Sequence, residues 1–274
     1  MSAQQQPAAI ARGKHAILLG ATGAVGSSLL SALLASGAYG QIHAFVRKPF
    51  KERKGLASDE RVVEHIVDFD KLVGDKPDVA ESEKFRDVQA DVVYIALGTT
   101  RAQAGSAAAF EKIDREYVVG AARASLVGST GGKGQDEAHQ RVVYCSTAGA
   151  SSSSPFLYPK SKGLTEDALS KLGYAQTFIF RPGFLKNAIR EKPRRIEALF
   201  GWFTSNVLSK ISDGAEIGVS PLAKAMVWAG TNGVEGLDSK KIGTRIQGEG
   251  KKGTAVLIGN AEAAKIAGDA ELLQ

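Results

Sequence analysis

An α/β fold with a doubly wound parallel sheet, helices on both faces, follows from two observations on this sequence. The first is a short apolar run at residues 15–19 that leads into three glycines, Gly20, Gly23 and Gly26, spaced G-x-x-G-x-x-G. The second is alternation: β-type runs at 15–19, 41–46, 61–67, 91–96, 141–145 and 176–180 are separated by helical patterns. Parallel strands need long crossovers and a helix supplies them, so the alternation reads as a series of βαβ units.

The first unit is the most specific. Gly20 lets the chain bend off the strand, Gly23 leaves room for a pyrophosphate to approach backbone N–H groups, and Gly26 lets the next helix pack closely on the sheet. Gly20, Ala21, Thr22, Gly23, Ala24, Val25 and Gly26 therefore form a candidate phosphate cradle at a helix N-terminus, in a Rossmann-type arrangement. The helix is marked by Leu29, Leu30, Leu33 and Leu34 and stops at Gly37. The second strand ends at Arg47-Lys48, the third at Val67-Asp68 and the fourth at Leu97-Gly98-Thr99.

After the fourth strand a helix is expected with Phe110, Ile113, Tyr117 and Ala121 inward and with Glu111, Lys112, Asp114, Arg115 and Glu116 mostly outward. A surface loop follows at 128–137, rich in glycine. Beyond residue 180 the alternation stops; 196–211 and 221–229 read as helices and 254–258 as a late strand. The whole chain, 1–274, is expected to be a single domain, with 1–13 a flexible arm and 184–250 small substrate-side elements.

Composition narrows the classes of function. A content of 43% hydrophobic and 23% charged residues is ordinary for a globular chain of 274 residues. Cys145 is the sole cysteine, which excludes an intramolecular disulfide, and its place in an apolar run marks it as core. The four histidines are scattered without metal-ligand spacing, so no metal is expected. A net charge of +6 without aromatic interleaving gives nucleic acid no support. The uncharged stretch between Lys14 and Arg47 is broken by five glycines and is read as a buried strand, turn and helix, not a membrane span.

Reactive groups gather at and after the end of the fifth strand. Ser146 and Thr147 close the fifth strand, and Tyr158-Pro159-Lys160-Ser161-Lys162 follows, placing a phenol and an ammonium four residues apart. Pro159 disfavours the helical conformation at Tyr158, so the tyrosine is expected at the helix boundary with Pro159 first in the helix, and Lys160 stands as an alternative ammonium. A cation at ~4 Å in an effective dielectric of ~20 favours the phenolate by on the order of 4 kcal/mol, about three pK units.

This order of glycine turn, strand-end hydroxyl, tyrosine and lysine resembles the short-chain dehydrogenase/reductase superfamily in its extended or atypical branch. With Leu97-Gly98-Thr99-Thr100-Arg101, Asp114-Arg115-Glu116-Tyr117-Val118, Phe156-Leu157-Tyr158 and Phe180-Arg181-Pro182-Gly183, it is similar to the animal Tat-interacting oxidoreductase-like proteins and their fungal relatives at the mitochondrial outer membrane. The resemblance implies Tyr158 as proton donor, Lys162 holding the nicotinamide ribose, and Ser146 or Thr147 orienting the substrate oxygen. It also implies that Asp68 contacts the adenine, a role that capping of the next turn rivals, and that Leu97, Gly98, Thr99 and Arg181 run along the cofactor. Arg47, where an NAD enzyme carries an acid, and Lys48 beside it point to NADP(H).

The expected activity is NADP(H)-dependent oxidoreduction of a small-molecule carbonyl or alcohol. The alternative is an NADPH-sensing regulatory protein that acts through a protein partner. Lys186, Arg190, Lys192, Arg194 and Arg195 precede Leu199-Phe200-Gly201-Trp202-Phe203, a pattern that fits either peripheral membrane contact or a pocket wall. Peripheral attachment at the mitochondrial outer membrane is the location the resemblance implies, with the cytoplasm as the alternative.

Overall fold

The computed structural model describes residues 13–50, 59–126, 139–186, 216–246 and 253–271. Its main sheet contains β1 (Lys14–Leu19), β2 (Tyr39–Val46), β3 (Val62–Ile66), β4 (Val92–Ile95), β5 (Arg141–Cys145), β6 (Gln176–Arg181), β9 (Thr244–Ile246) and β10 (Thr254–Gly259). The strand order is β3-β2-β1-β4-β5-β6-β10-β9, parallel except for β9, which runs antiparallel to β10. A separate parallel pair joins β7 (Phe184–Lys186) to β8 (Glu216–Gly218). All six strands expected before residue 181 are present, and the late strand is β10, paired with β6.

Helices cover both faces. On one, α1 (Ala24–Ser36), α7 (Val219–Lys240) and α8 (Asn260–Glu271) enclose a core of Leu29, Leu30, Leu33, Leu222, Met226 and Ile266 against the sheet. On the other, α2 (Val79–Arg86), α5 (Tyr117–Ser125) and α6 (Leu157–Lys171) bury Phe85, Val118, Ala121 and Leu169. Burying both faces explains why β1, β4 and β5 are continuous apolar runs and do not alternate. The chain winds outward from β1 to β3 and then crosses back to β4, so a crevice opens at the carboxyl ends of β1 and β4.

Two expectations need correction. The helix placed at 221–229 is the first half of α7, which continues to Lys240 through a kink at Gly233 (φ +71°). With β9, α7 belongs to the main layers, so part of 184–250 packs on or within the sheet. The second correction concerns the helix after β4. Following α3 (Arg101–Ala104), α4 (Ala107–Glu111) runs without a break through a π-type turn, Lys112–Glu116, into α5. Asp114, expected outward, instead shares the buried stripe of Phe110, Tyr117 and Ala121 and is 0% exposed. The arm at 1–12, the 128–137 loop and the 196–211 helix lie outside the described residues.

Candidate active site

The crevice is built from backbone on its β1 side. Gly20 sits at φ +87°, and a Cβ there would lie 2.6 Å from the backbone of Ala96 and Leu97, so the turn rests directly on the end of β4. A Cβ on Gly26 would lie 1.9 Å from the Gly20 carbonyl oxygen, which shows how closely α1 approaches the turn. Within the turn the Gly23 N–H donates to the Gly20 carbonyl at 2.9 Å. Ala21 is buried, Ala24 and Val25 are half-buried, and Thr22 and Gly23 form the exposed tip above the start of α1, whose first turn carries no acid. An exposed backbone loop at a helix N-terminus with no opposing carboxylate suits a pyrophosphate.

Farther along the same strand ends, a hollow of 410 Å³ opens beyond β2 and β3, lined among others by Arg47, Asp68, Asp70, Glu81, Lys84 and Tyr117. Arg47 and Lys48 are both exposed, and only Arg47 lines the hollow. Asp68 caps the 3-10 turn Phe69–Leu72 by accepting from the Asp70 N–H at 3.0 Å, so the capping reading holds while the residue also faces the hollow. The Tyr117 hydroxyl donates to Asp70 at 2.6 Å, and burial with that contact pushes the phenol up to about 12.

The β4–β5 side supplies the reactive groups. Helix α6 begins at Leu157, earlier than expected, so Tyr158 and Lys162 both lie in it, one turn apart; Pro159 occupies its first turn, where N–H groups have no helical partner to lose. Lys162 is 5% exposed, whereas Lys160 faces solvent, which removes the alternative ammonium. The Lys162 Nζ lies 3.1 Å from Asp114 Oδ1 and 3.1 Å from the Tyr144 hydroxyl. Gly98 lies alongside, since a Cβ on it would sit 3.0 Å from Asp114 Oδ1 and 3.5 Å from Lys162 Nζ. Leu97 and Thr99 flank it, half-buried at the crevice floor.

The electrostatics differ from the sequence expectation. Burial works against the Lys162 ammonium, but Tyr144, Asp114 and Tyr158 outweigh it and hold the lysine well above its usual range. The Tyr158 phenol is raised, not lowered. Tyr158 is 39% exposed as a residue, yet enough protein surrounds the phenol for desolvation to dominate; Lys162 pulls it down and Asp114 pushes it back up. Reckoning with Lys162 alone left out this carboxylate. Burial also raises Cys145 to about 11, which leaves its thiol un-ionised and unreactive at the half-buried end of β5.

The two strand-end hydroxyls differ in their partners. The Ser146 hydroxyl donates to Glu166 Oε1 at 2.5 Å, whereas Thr147 lies beside the Tyr158 phenol and favours its ionised form. Glu166, 3% exposed, also accepts from Nε and Nη2 of the Arg181 guanidinium. Arg181 is thus directed at Glu166, and Ser146–Glu166–Arg181 ties the ends of β5 and β6 to α6. Sequence reading missed Asp114, Tyr144 and Glu166. A signal existed for the first: 110, 114, 117 and 121 form one helical stripe, with an acid in its middle.

The basic and aromatic segment that starts at Lys186 lies, beyond that residue, outside the described residues. Among the described residues no helix is long and apolar enough to cross a membrane.

Comparisons with known proteins agree with this arrangement. A family model for the NAD dependent epimerase/dehydratase family matches residues 16–171, from β1 to the end of α6. "Protein FMP52, mitochondrial" from Candida albicans is 36% identical over 174 residues, which are 64% of this chain and 68% of that protein. Its namesake from Aspergillus clavatus is 31% identical over 222 residues, 80% of this chain and 88% of the relative. Protein HTATIP2 from Rattus norvegicus is 29% identical over 233 residues, 84% and 88% of the two chains. Among solved structures, a short-chain dehydrogenase/reductase family oxidoreductase from Burkholderia thailandensis superposes with a TM-score of 0.58 at 14% identity, covering 95% of this chain and 98% of that one. The Bordetella bronchiseptica enzyme WbmH, solved with NAD+, gives 0.52 at 17% identity over 81% and 73%. At such identities the two structures speak for the fold alone, and it is the sequence matches that carry the conclusion: the chain belongs to the NAD dependent epimerase/dehydratase family, NAD(P)-binding proteins of the short-chain dehydrogenase/reductase type, and is a relative of FMP52 and HTATIP2.

Proposed function

We propose that this chain is an NADP(H)-dependent oxidoreductase that interconverts a carbonyl and an alcohol, with Tyr158 as the proton donor. The observation that carries the proposal is the meeting of Tyr158, Lys162 and Thr147 beside Gly98, at the crevice whose other wall is the glycine turn. Bound NADP(H) would supply the hydride to the carbonyl carbon. The turn at residues 20–26 would hold the pyrophosphate, and Arg47 at the rim of the hollow, with Lys48 beside it, suits a 2′-phosphate because a guanidinium offers several donors and a flat face for adenine. Lys162 reaches the ribose side from the crevice floor. Thr147 fixes the substrate oxygen, Tyr158 delivers a proton to it, and solvent returns that proton through the exposed flank of the tyrosine.

The test is NADPH oxidation against a panel of aromatic and aliphatic aldehydes and ketones. Tyr158→Phe is expected to lower the rate at least 1,000-fold, within the range set by loss of a proton donor combined with substrate alignment, while NADPH affinity stays within twofold. Undiminished turnover in that variant overturns the reading. Binding without turnover in the unmodified protein supports the regulatory alternative.

We further place the protein at the mitochondrial outer membrane, held peripherally by the basic and aromatic residues between Lys186 and Phe203. The fungal relatives carry mitochondrial names, which supports the organelle. Co-sedimentation with anionic liposomes at low salt, released at high salt, is the expected behaviour; protein that stays in the supernatant at low salt contradicts it.

A further inference from the structure

The Lys162 ammonium is gripped from two sides by groups that no part of the proposed reaction requires. Asp114 comes from the π-type turn between α4 and α5, and Tyr144 from β5. Asp114 is 0% exposed, its Oδ1 has no neighbour of hydrogen-bonding kind apart from the lysine, and its Oδ2 accepts weakly from Ser161 at 3.4 Å. A carboxylate buried this completely is held there by its counter-charge, because an unpaired one would be far too costly. Its place on the stripe it shares with Phe110, Tyr117 and Ala121, buried along the whole α4–α5 run, is what turns it inward.

We propose that Asp114 is a positioning residue that fixes the Lys162 ammonium against Gly98 and offsets its charge, so that Tyr158 stays a protonated donor across the neutral range and the site is poised for carbonyl reduction.

With Asp114 and Lys162 both charged, the cluster is neutral, and ionising Tyr158 would leave a net negative charge in a poorly solvated place. Without the carboxylate the cluster is positive, and the same ionisation neutralises it. The groups that face the Tyr158 phenol are Lys162 on its own helix, Asp114 from the π-type turn, Tyr144 and Cys145 from β5, and the Thr147 hydroxyl; the Phe110 ring of α4 is tilted against the tyrosine ring with centroids 6.1 Å apart. Asp114 is the sole carboxylate in this set.

The catalytic meaning of the inference rests on Tyr158 being the proton donor, but its test does not. The protein is labelled with [13C-ζ]tyrosine and titrated without cofactor or substrate, the Tyr158 resonance being assigned by its loss in Tyr158→Phe. In Asp114→Asn, or in Asp114→Ser should the amide disturb packing, the Tyr158 midpoint is expected to fall by at least one pH unit, a tenfold gain in phenolate at a given pH. Asp114→Glu, which keeps the charge, should restore a high midpoint. A folded neutral variant whose Tyr158 midpoint is unchanged overturns the proposal. So does loss of fold in both neutral variants while Asp114→Glu folds, since Asp114 would then serve stability alone. Failure here leaves the proton-donor reading intact, because that reading is decided separately by turnover in Tyr158→Phe.

Discussion

On the β1–β3 flank three imidazoles stack along the sheet, whereas the β4–β6 flank holds a cluster of buried ion pairs. His15, His43 and His65 lie in a ladder across β1, β2 and β3, with ring centroids 5.4 Å and 5.2 Å apart and a 2.9 Å hydrogen bond from one ring to the next between His43 and His65. Among the described residues His15 Nδ1 and His43 Nε2 have no hydrogen-bond partner, and burial lowers His43 and His65 below the usual imidazole range. Across the crevice, Lys162, Asp114 and Glu166 are buried and each has an ion-pair partner, supplied for Glu166 by Arg181. The difference fits the proposed division of work, in which glycine backbone and a surface arginine would hold a nucleotide and a charged, pre-aligned set would move a proton.

The contrast predicts which flank acid attacks first. In the unfolded chain a histidine takes up its proton near 6.5, but His43 in the fold resists down to about 4, chiefly through burial and then through the neighbouring His65 and His15 rings. Between those values the unfolded state binds more protons than the folded one, so stability falls as the pH drops below 6.5 and is unaffected above it. Chemical denaturation at pH 7.5 and pH 5.0 should differ by about 2 kcal/mol from this residue, roughly 30-fold in the folding equilibrium. His43→Leu should remove that share of the difference. An equal loss of stability on acidification in the variant would place the acid sensitivity elsewhere, and the comparison between flanks would lose its energetic half.

Legibility in the sequence follows the same division. The glycine turn could be read because each glycine is required by a contact only a few residues away, or by the strand it lands on, and the pattern is contiguous. Strands β1, β4 and β5 could be read because a doubly covered parallel sheet writes its central strands as apolar runs. Tyr158 and Lys162 were visible as a spaced pair on one helix. What stayed hidden depends on pairings distant in sequence. Asp114 and Lys162 are 48 residues apart, and no local pattern says that α6 carries the lysine to the acid. Ser146 and Thr147 are adjacent and chemically alike, so only Glu166 arriving from α6 and Arg181 from β6 could tell which hydroxyl is free to face the phenol. The three-residue strands β7, β8 and β9 are too short for any periodicity to register.

The proposed preference for NADP(H) rests on Arg47, apart from the charged cluster around Lys162. Calorimetric titration of the unmodified protein and of Arg47→Asp with NADPH and with NADH measures it directly. The unmodified protein should bind NADPH at least tenfold more tightly than NADH, which is about 1.4 kcal/mol or more. Arg47→Asp should bring the two affinities to within about threefold of each other, an equivalent difference of ~0.6 kcal/mol, and leave the Tyr158 titration unmoved. Equal affinities in the unmodified protein, or an undiminished preference for NADPH in Arg47→Asp, would contradict the account.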